Sequence, residues 1–142
     1  MSDRTDNLNE IVALLEAGET FYTDAAEKIE DTELVETFRA HAAFRQEAAA
    51  ELKRTVQEAG AEPASPSLRE RAREAYARLM TLLGDTKGRF IASLEEHEDR
   101  TLAAYRKAME HEANAEDREM LEAQFDRFKA AHDKMRALKE SA

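Results

Sequence analysis

The sequence contains no cysteine and no tryptophan, only two prolines and four glycines, and no long apolar run. Each absence removes a class of answers. Without cysteine there is no disulfide framework, no thiolate zinc site and no thiol nucleophile. So little glycine and proline leaves too few turn residues for a strand-rich fold. The longest apolar runs are a few residues, far short of the ~20 needed to span a bilayer, and no apolar leader follows Met1. No membrane partner and a cytoplasmic location are the expectations. Serine occurs only at 2, 65, 67, 93 and 141, never with a recognisable base beside it, and no glycine-rich phosphate loop is present. No catalytic residue is identified, and the reading leans away from an enzyme.

What the chain does contain is charge and helix-forming residues. Asp and Glu number 31 against 21 Lys and Arg, a formal net charge of −10. Such a surface repels nucleic acid and anionic lipid. It serves solubility, or it docks a basic protein partner. Charged residues make up 37% and hydrophobic ones 42% of the 142 residues, rich in Ala, Glu, Arg and Leu. That composition predicts an all-α fold in one domain, residues 1–142.

Apolar spacing divides the chain into helices of about 8–30, 33–59, 67–83, 87–111 and 115–139, after a polar, frayed Met1–Asn7. The first carries a four–three repeat, Leu8, Val12, Leu15, Glu19, Tyr22, Ala26 and Ile29. Gly18 interrupts no pattern, so it is read as a point where another helix comes close. Asp31-Thr32 offers a cap for the second helix, whose buried line is Leu34, Phe38, His41/Ala42, Arg45, Ala48/Ala49, Leu52 and Val56. Gly60 ends it. Ser65-Pro66 starts the short third helix, with Ser67 and Glu70 in capping-box spacing, and Gly84 closes it. Asp85 or Thr86 caps the fourth helix and Asn114 the fifth. The last buried line is Leu121, Gln124/Phe125, Phe128, His132, Met135 and Leu138.

Tight links pair helices one with two and four with five as antiparallel hairpins. The connection over about 60–85 holds a helix of roughly 25 Å, long enough to cross the length of a bundle. This favours a ferritin-like, up-down-down-up four-helix bundle with a short extra helix in the crossover. Ala42/Ala43 and Ala49/Ala50 extend beyond one seam, which suggests a homodimer.

The fourth helix raises the functional question. Its apolar line, Ile91, Leu94/Glu95, Glu98, Leu102, Tyr105 and Met109, carries two carboxylates. An ionised Glu enters a core only with a partner, because desolvation costs several kcal/mol. Counting from the turns places Glu19, Arg45, Glu95, Glu98 and His132 at one height, with Gln124 at the margin. One reading is a buried polar network in which Arg45 bridges Glu19 and one of Glu95/Glu98 while His132 serves the other. The alternative is a divalent ion (iron, manganese or zinc) held by Glu19, Glu95, Glu98 and His132. Arg45 competes with a metal there, and no Glu-x-x-His pair exists in the sequence. His41, His97 and His111 read as surface or boundary residues, and the six phenylalanines as core.

The order Glu-Ala-Gly-Glu-x-Phe-Tyr (16–22), Arg45 with Glu51-Leu52, Glu95-x-x-Glu98-Asp99 before Tyr105, and Gln124 with Ala131-His132-Asp133 resembles an uncharacterised bacterial family. Gly60-Ala61-Glu62-Pro63 belongs to the same likeness. That family is described as ferritin-like four-helix-bundle proteins with a domain of unknown function. The resemblance implies a fold related to ferritin and rubrerythrin and carries no activity across. The functional expectation is a non-enzymatic binding or stress-associated accessory protein with a buried polar layer; the alternative is a metal-binding carboxylate bundle.

Overall fold

The computed structural model describes residues 2–81 and 87–140, without the side chains of residues 87, 88, 135 and 138–140. Five α-helices account for nearly all of them: α1 Asp3–Lys28, α2 Thr32–Glu58, α3 Pro66–Met80, α4 Lys87–Glu110 and α5 Arg118–Glu140, with a 3-10 segment Glu112–Asp117 before α5. No strand occurs among the described residues, and none of their helices is long and apolar enough to cross a membrane.

Local chemistry sets the helix ends. Asp31 caps α2, its side chain accepting from the Leu34 amide. Gly60 takes a φ of 74°, which a side chain would oppose. The Gly60 and Ala61 amides then turn back to the Gln57 and Val56 carbonyls and close α2. At α3 the cap is Ser65, not Ser67: its hydroxyl accepts from Leu68, and Pro66 fills the first turn where no amide is missed. The expected stop at Gly84 and the caps at Asp85 or Thr86 lie outside the described residues, as do the side chains of Met135 and Leu138.

The chain start departs most from expectation. Instead of fraying, residues 3–7 form the first turns of α1, capped by Ser2, with Thr5 and Asn7 buried. They are fastened to the corner between α4 and α5. Arg4 forms a two-pronged bond to Asp117 at 3.0 and 2.9 Å, and Asn7 donates to Asn114 at 2.9 Å. Asn114 does not cap α5. It is fully buried and spends its amide on the Arg4 carbonyl and Asp117, while His111 caps the 3-10 segment through the Ala113 amide.

Contact order gives the helix directions. Residues 14 and 22 of α1 meet residues 45 and 41 of α2, so the two run antiparallel. Phe21 meets Phe90, and Glu10 meets Lys107, so α4 opposes α1. Phe44 stacks on Phe128 and Thr55 reaches Met120, so α5 opposes α2; Asp99–His132 and Tyr105–Gln124 do the same for α4 and α5. α3 runs along the outside of α1 in the same direction, returning the chain to the end where α4 begins. The core falls into two clusters. One is built around Phe21, Phe38, Tyr76, Phe90 and Leu94. The other is built around Leu8, Ile11, Leu15, Leu52, Leu102 and Leu121. Ala49 is buried and Ala42 half-buried, while Ala43 and Ala50 are exposed.

Candidate functional site

Between the two clusters lies Arg45, fully buried at mid-α2. Its position on an apolar line is what carries it inward, and the surrounding helices supply what a buried cation requires. Nη2 donates to Glu98 Oε1 of α4 at 2.7 Å and to the Tyr76 hydroxyl of α3 at 3.0 Å; Nη1 donates to the Leu14 carbonyl of α1 at 3.0 Å. The rings of Tyr22, Tyr76 and Phe128 stand 5.4, 5.5 and 5.4 Å from the guanidinium carbon, within cation–π range. The same Glu98 oxygen receives the Tyr22 hydroxyl of α1 in a short hydrogen bond. All five helices thus converge on one ion pair whose partners are 0% and 1% exposed.

Gly18 is what makes room. A Cβ there would lie 2.2 Å from Arg45 Nη1 and 2.5 Å from Cζ, so the close neighbour is a side chain and not a helix backbone. Arg45 Nε, 2.9 Å from that same point, is buried without an acceptor, a loss the other bonds offset.

The electrostatics follow from burial opposed by pairing. Burial pushes the Glu98 carboxyl up, but the charge of Arg45, with smaller help from His41 and Tyr22, holds it below its ordinary value. Burial likewise opposes the charge on Arg45, and Glu98 outweighs it and raises the pKa. Both groups are therefore ionised. Tyr22 and Tyr76 are raised, chiefly by burial, and stay neutral, Tyr22 donating to Glu98 and Tyr76 accepting from Arg45. His41 lies 5% exposed, stacked on Tyr22 with centroids 4.8 Å apart, and neither ring nitrogen has a hydrogen-bond partner. Burial lowers its pKa against the pull of Glu98. It is a core residue and not the boundary residue its sequence position suggests.

Of the residues expected at this height, the structure brings Arg45 and Glu98 together and separates the others. Glu19 is half-buried and takes part in no hydrogen bond or ion pair found among the described residues. Glu95 and His132 stand to one side, on the α4–α5 seam: His132 Nε2 is 3.0 Å from Asp99 and 4.0 Å from Glu95, and Arg136 reaches Glu95 at 3.2 Å. Gln124 belongs to a second polar contact nearer the corner, accepting from Tyr105 at 2.7 Å and donating to Glu51 at 2.9 Å. Among the described residues no three His, Asp or Glu side chains gather as a metal set. The layer's members missed from sequence are Tyr22 and Tyr76. Their signal was a hydroxyl on a buried aromatic, which needs a partner.

The family described as a domain of unknown function, DUF2383, matches residues 3–111. The chain belongs to that family. The matched span holds Gly18, Tyr22, Arg45, Tyr76 and Glu98, so the ion pair and its hydrogen-bond partners lie inside the DUF2383 domain, whereas Phe128, Gln124 and His132 lie beyond it. Comparison with curated proteins found no match.

Proposed function

We propose that this DUF2383 chain is a ferritin-like bundle working as a non-enzymatic binding or accessory protein, in which the Arg45–Glu98 layer is structural. The antiparallel contacts of α1 with α2, α1 with α4, α2 with α5 and α4 with α5 support an up-down-down-up order of the four long helices. In this reading α3 is the crossover. The observation that carries the functional reading is the guanidinium itself. It occupies the centre where inward carboxylates of a metal bundle would meet a cation, and it takes the Glu98 oxygen that a metal would need. Both charges are sealed from solvent, so neither offers a reacting atom to a substrate.

The competing use, a divalent ion on Glu19, Glu95, Glu98 and His132, makes a different forecast for one experiment. Protein stripped with chelator should melt at the same temperature before and after one equivalent of Mn²⁺, Zn²⁺ or anaerobic Fe²⁺. A metal-dependent rise in melting temperature that disappears in Glu98→Gln would overturn the structural reading, because a ligand binding only the folded state must stabilise it.

A further inference from the structure

α3 and α4 meet where His97 Nε2 lies 2.8 Å from the Ala75 carbonyl oxygen. Beside that junction, with α1 as its floor, the surface opens into a groove of about 380 Å³, within the range of small-molecule clefts. Its floor is apolar: Ala13 and Leu14 of α1, Leu68 and Ala72 of α3. One guanidinium stands on each wall, Arg71 from α3 and Arg100 from α4. Both are exposed, and neither joins an ion pair or hydrogen bond found among the described residues. The carboxylate at the groove's edge, Glu10, is already engaged by Lys107 at 3.0 Å. In a chain of net charge −10, the charge left free where α3 and α4 flank this first groove is therefore positive.

We infer that the groove binds an anionic amphiphile, a single hydrocarbon chain ending in a carboxylate. The head sits between Arg71 and Arg100, where planar guanidiniums suit a carboxylate. The chain lies over Leu14 and Leu68. Beyond Leu68 and Arg71 the groove continues into a second cleft of about 490 Å³ beside Pro63 and Pro66, whose lining also carries the carboxylates of Asp6 and Glu62, so the positive end that takes the head is the Arg71–Arg100 end. Together the two follow α1 from Asp6 to Leu14, roughly 12 Å at helical rise. That length takes a medium hydrocarbon chain and is too short to seat a partner helix of three or more turns.

Decanoate is the direct probe, titrated calorimetrically into the full chain and mapped by amide NMR shifts. Acetate has the head without the chain, and decyltrimethylammonium has the chain with the opposite charge. Decanoate should bind saturably and shift the amides of Ala13, Leu14, Leu68 and Ala72, and neither control should do so. The Arg71→Gln/Arg100→Gln variant, altered only at exposed positions, should bind about tenfold more weakly or worse. Ala75→Leu, which fills the groove and keeps both guanidiniums, should weaken binding as well. The proposal is overturned by no saturable binding at millimolar decanoate, by unchanged affinity in either variant, by equal binding of decyltrimethylammonium, or by shifts confined to another surface.

Discussion

Gly18→Ala and Arg45→Met, alone and combined, test whether the core is organised around a guanidinium. In the native background the new Cβ would sit 2.2 Å from Nη1 and 2.5 Å from Cζ. Arg45 must shift, and it has nowhere inexpensive to go. Moving Nη1 surrenders the bond to the Leu14 carbonyl, worth roughly 1.5–3 kcal/mol for a charged donor. Overpacking adds a further cost, and alanine returns only about 1 kcal/mol of helix propensity. The net expectation is a loss of about 1–3 kcal/mol. Arg45→Met alone should cost about 3–5 kcal/mol, because it strands the buried Glu98 carboxylate. In the methionine background, however, Gly18→Ala meets a flexible thioether with no bond to keep, and it should be neutral or stabilising by up to about 1 kcal/mol. The sign of one substitution thus reverses with the residue at position 45. Urea unfolding followed by helical circular dichroism at neutral pH, with the four variants compared at a common slope, reads the cycle. If Gly18→Ala stabilises the native protein as much as it does the Arg45→Met variant, the guanidinium does not occupy the space beneath Gly18.

Replacing the whole group, Arg45→Met with Glu98→Leu and Tyr22→Phe, should regain much of what Arg45→Met loses; a triple variant less stable than the single would contradict an ion pair held mainly against its own desolvation. Stability should fall as the solution is acidified, in two stages. His41 has a folded pKa below its ordinary 6.5, so its contribution is complete above that pH and is lost as the pH drops toward the folded value. Glu98, held below its ordinary 4.5, contributes above that value and loses its contribution as pH falls through its own folded pKa. His41→Leu should flatten the first stage in urea midpoints measured from pH 7.5 down to pH 3 and leave the second, below pH 4.5; an unaltered slope would remove His41 from the account. At the corner, Asn114→Ala leaves the Asn7 amide and the Arg4 carbonyl without their partner, at about 1–3 kcal/mol. It should also speed hydrogen exchange in residues 3–8, and unchanged exchange there would show that the chain start is held by something else.

Much of this architecture could be read in advance, and the reasons divide by kind of interaction. Helix order, the α2 stop at Gly60 and the buried cation–carboxylate pair rest on periodicity and on the rule that buried charge is paired, both visible in one dimension. The beginning of α1 was missed because Arg4 and Asn7 are polar and pair with other polar groups more than 100 residues away. No local pattern records such a match. Asn114 misled for a related reason, since a helix cap and a buried crosslink ask for the same amide. Glu19 shares the repeat of Leu15 and Tyr22, but α1 is covered by α2, α3 and α4 on different sides. Its seam is therefore broad, and a residue on the nominal line can still stand at the rim. Glu95 and His132 were placed at the right height on the wrong side, which rise and turn position alone cannot distinguish.

The three tyrosines of this chain, at 22, 76 and 105, have an optical consequence. All are buried, all are hydrogen-bonded, and burial raises the pKa of each above the ordinary 10. The folded molecule therefore keeps three phenolic protons that its unfolded form releases once the solution passes about pH 10. With no tryptophan to obscure the near-ultraviolet, tyrosinate absorbance becomes a gauge of global opening. The alkaline titration should rise in one steep, time-dependent step for all three rings, in place of the shallow, instantaneous curves of phenols in water.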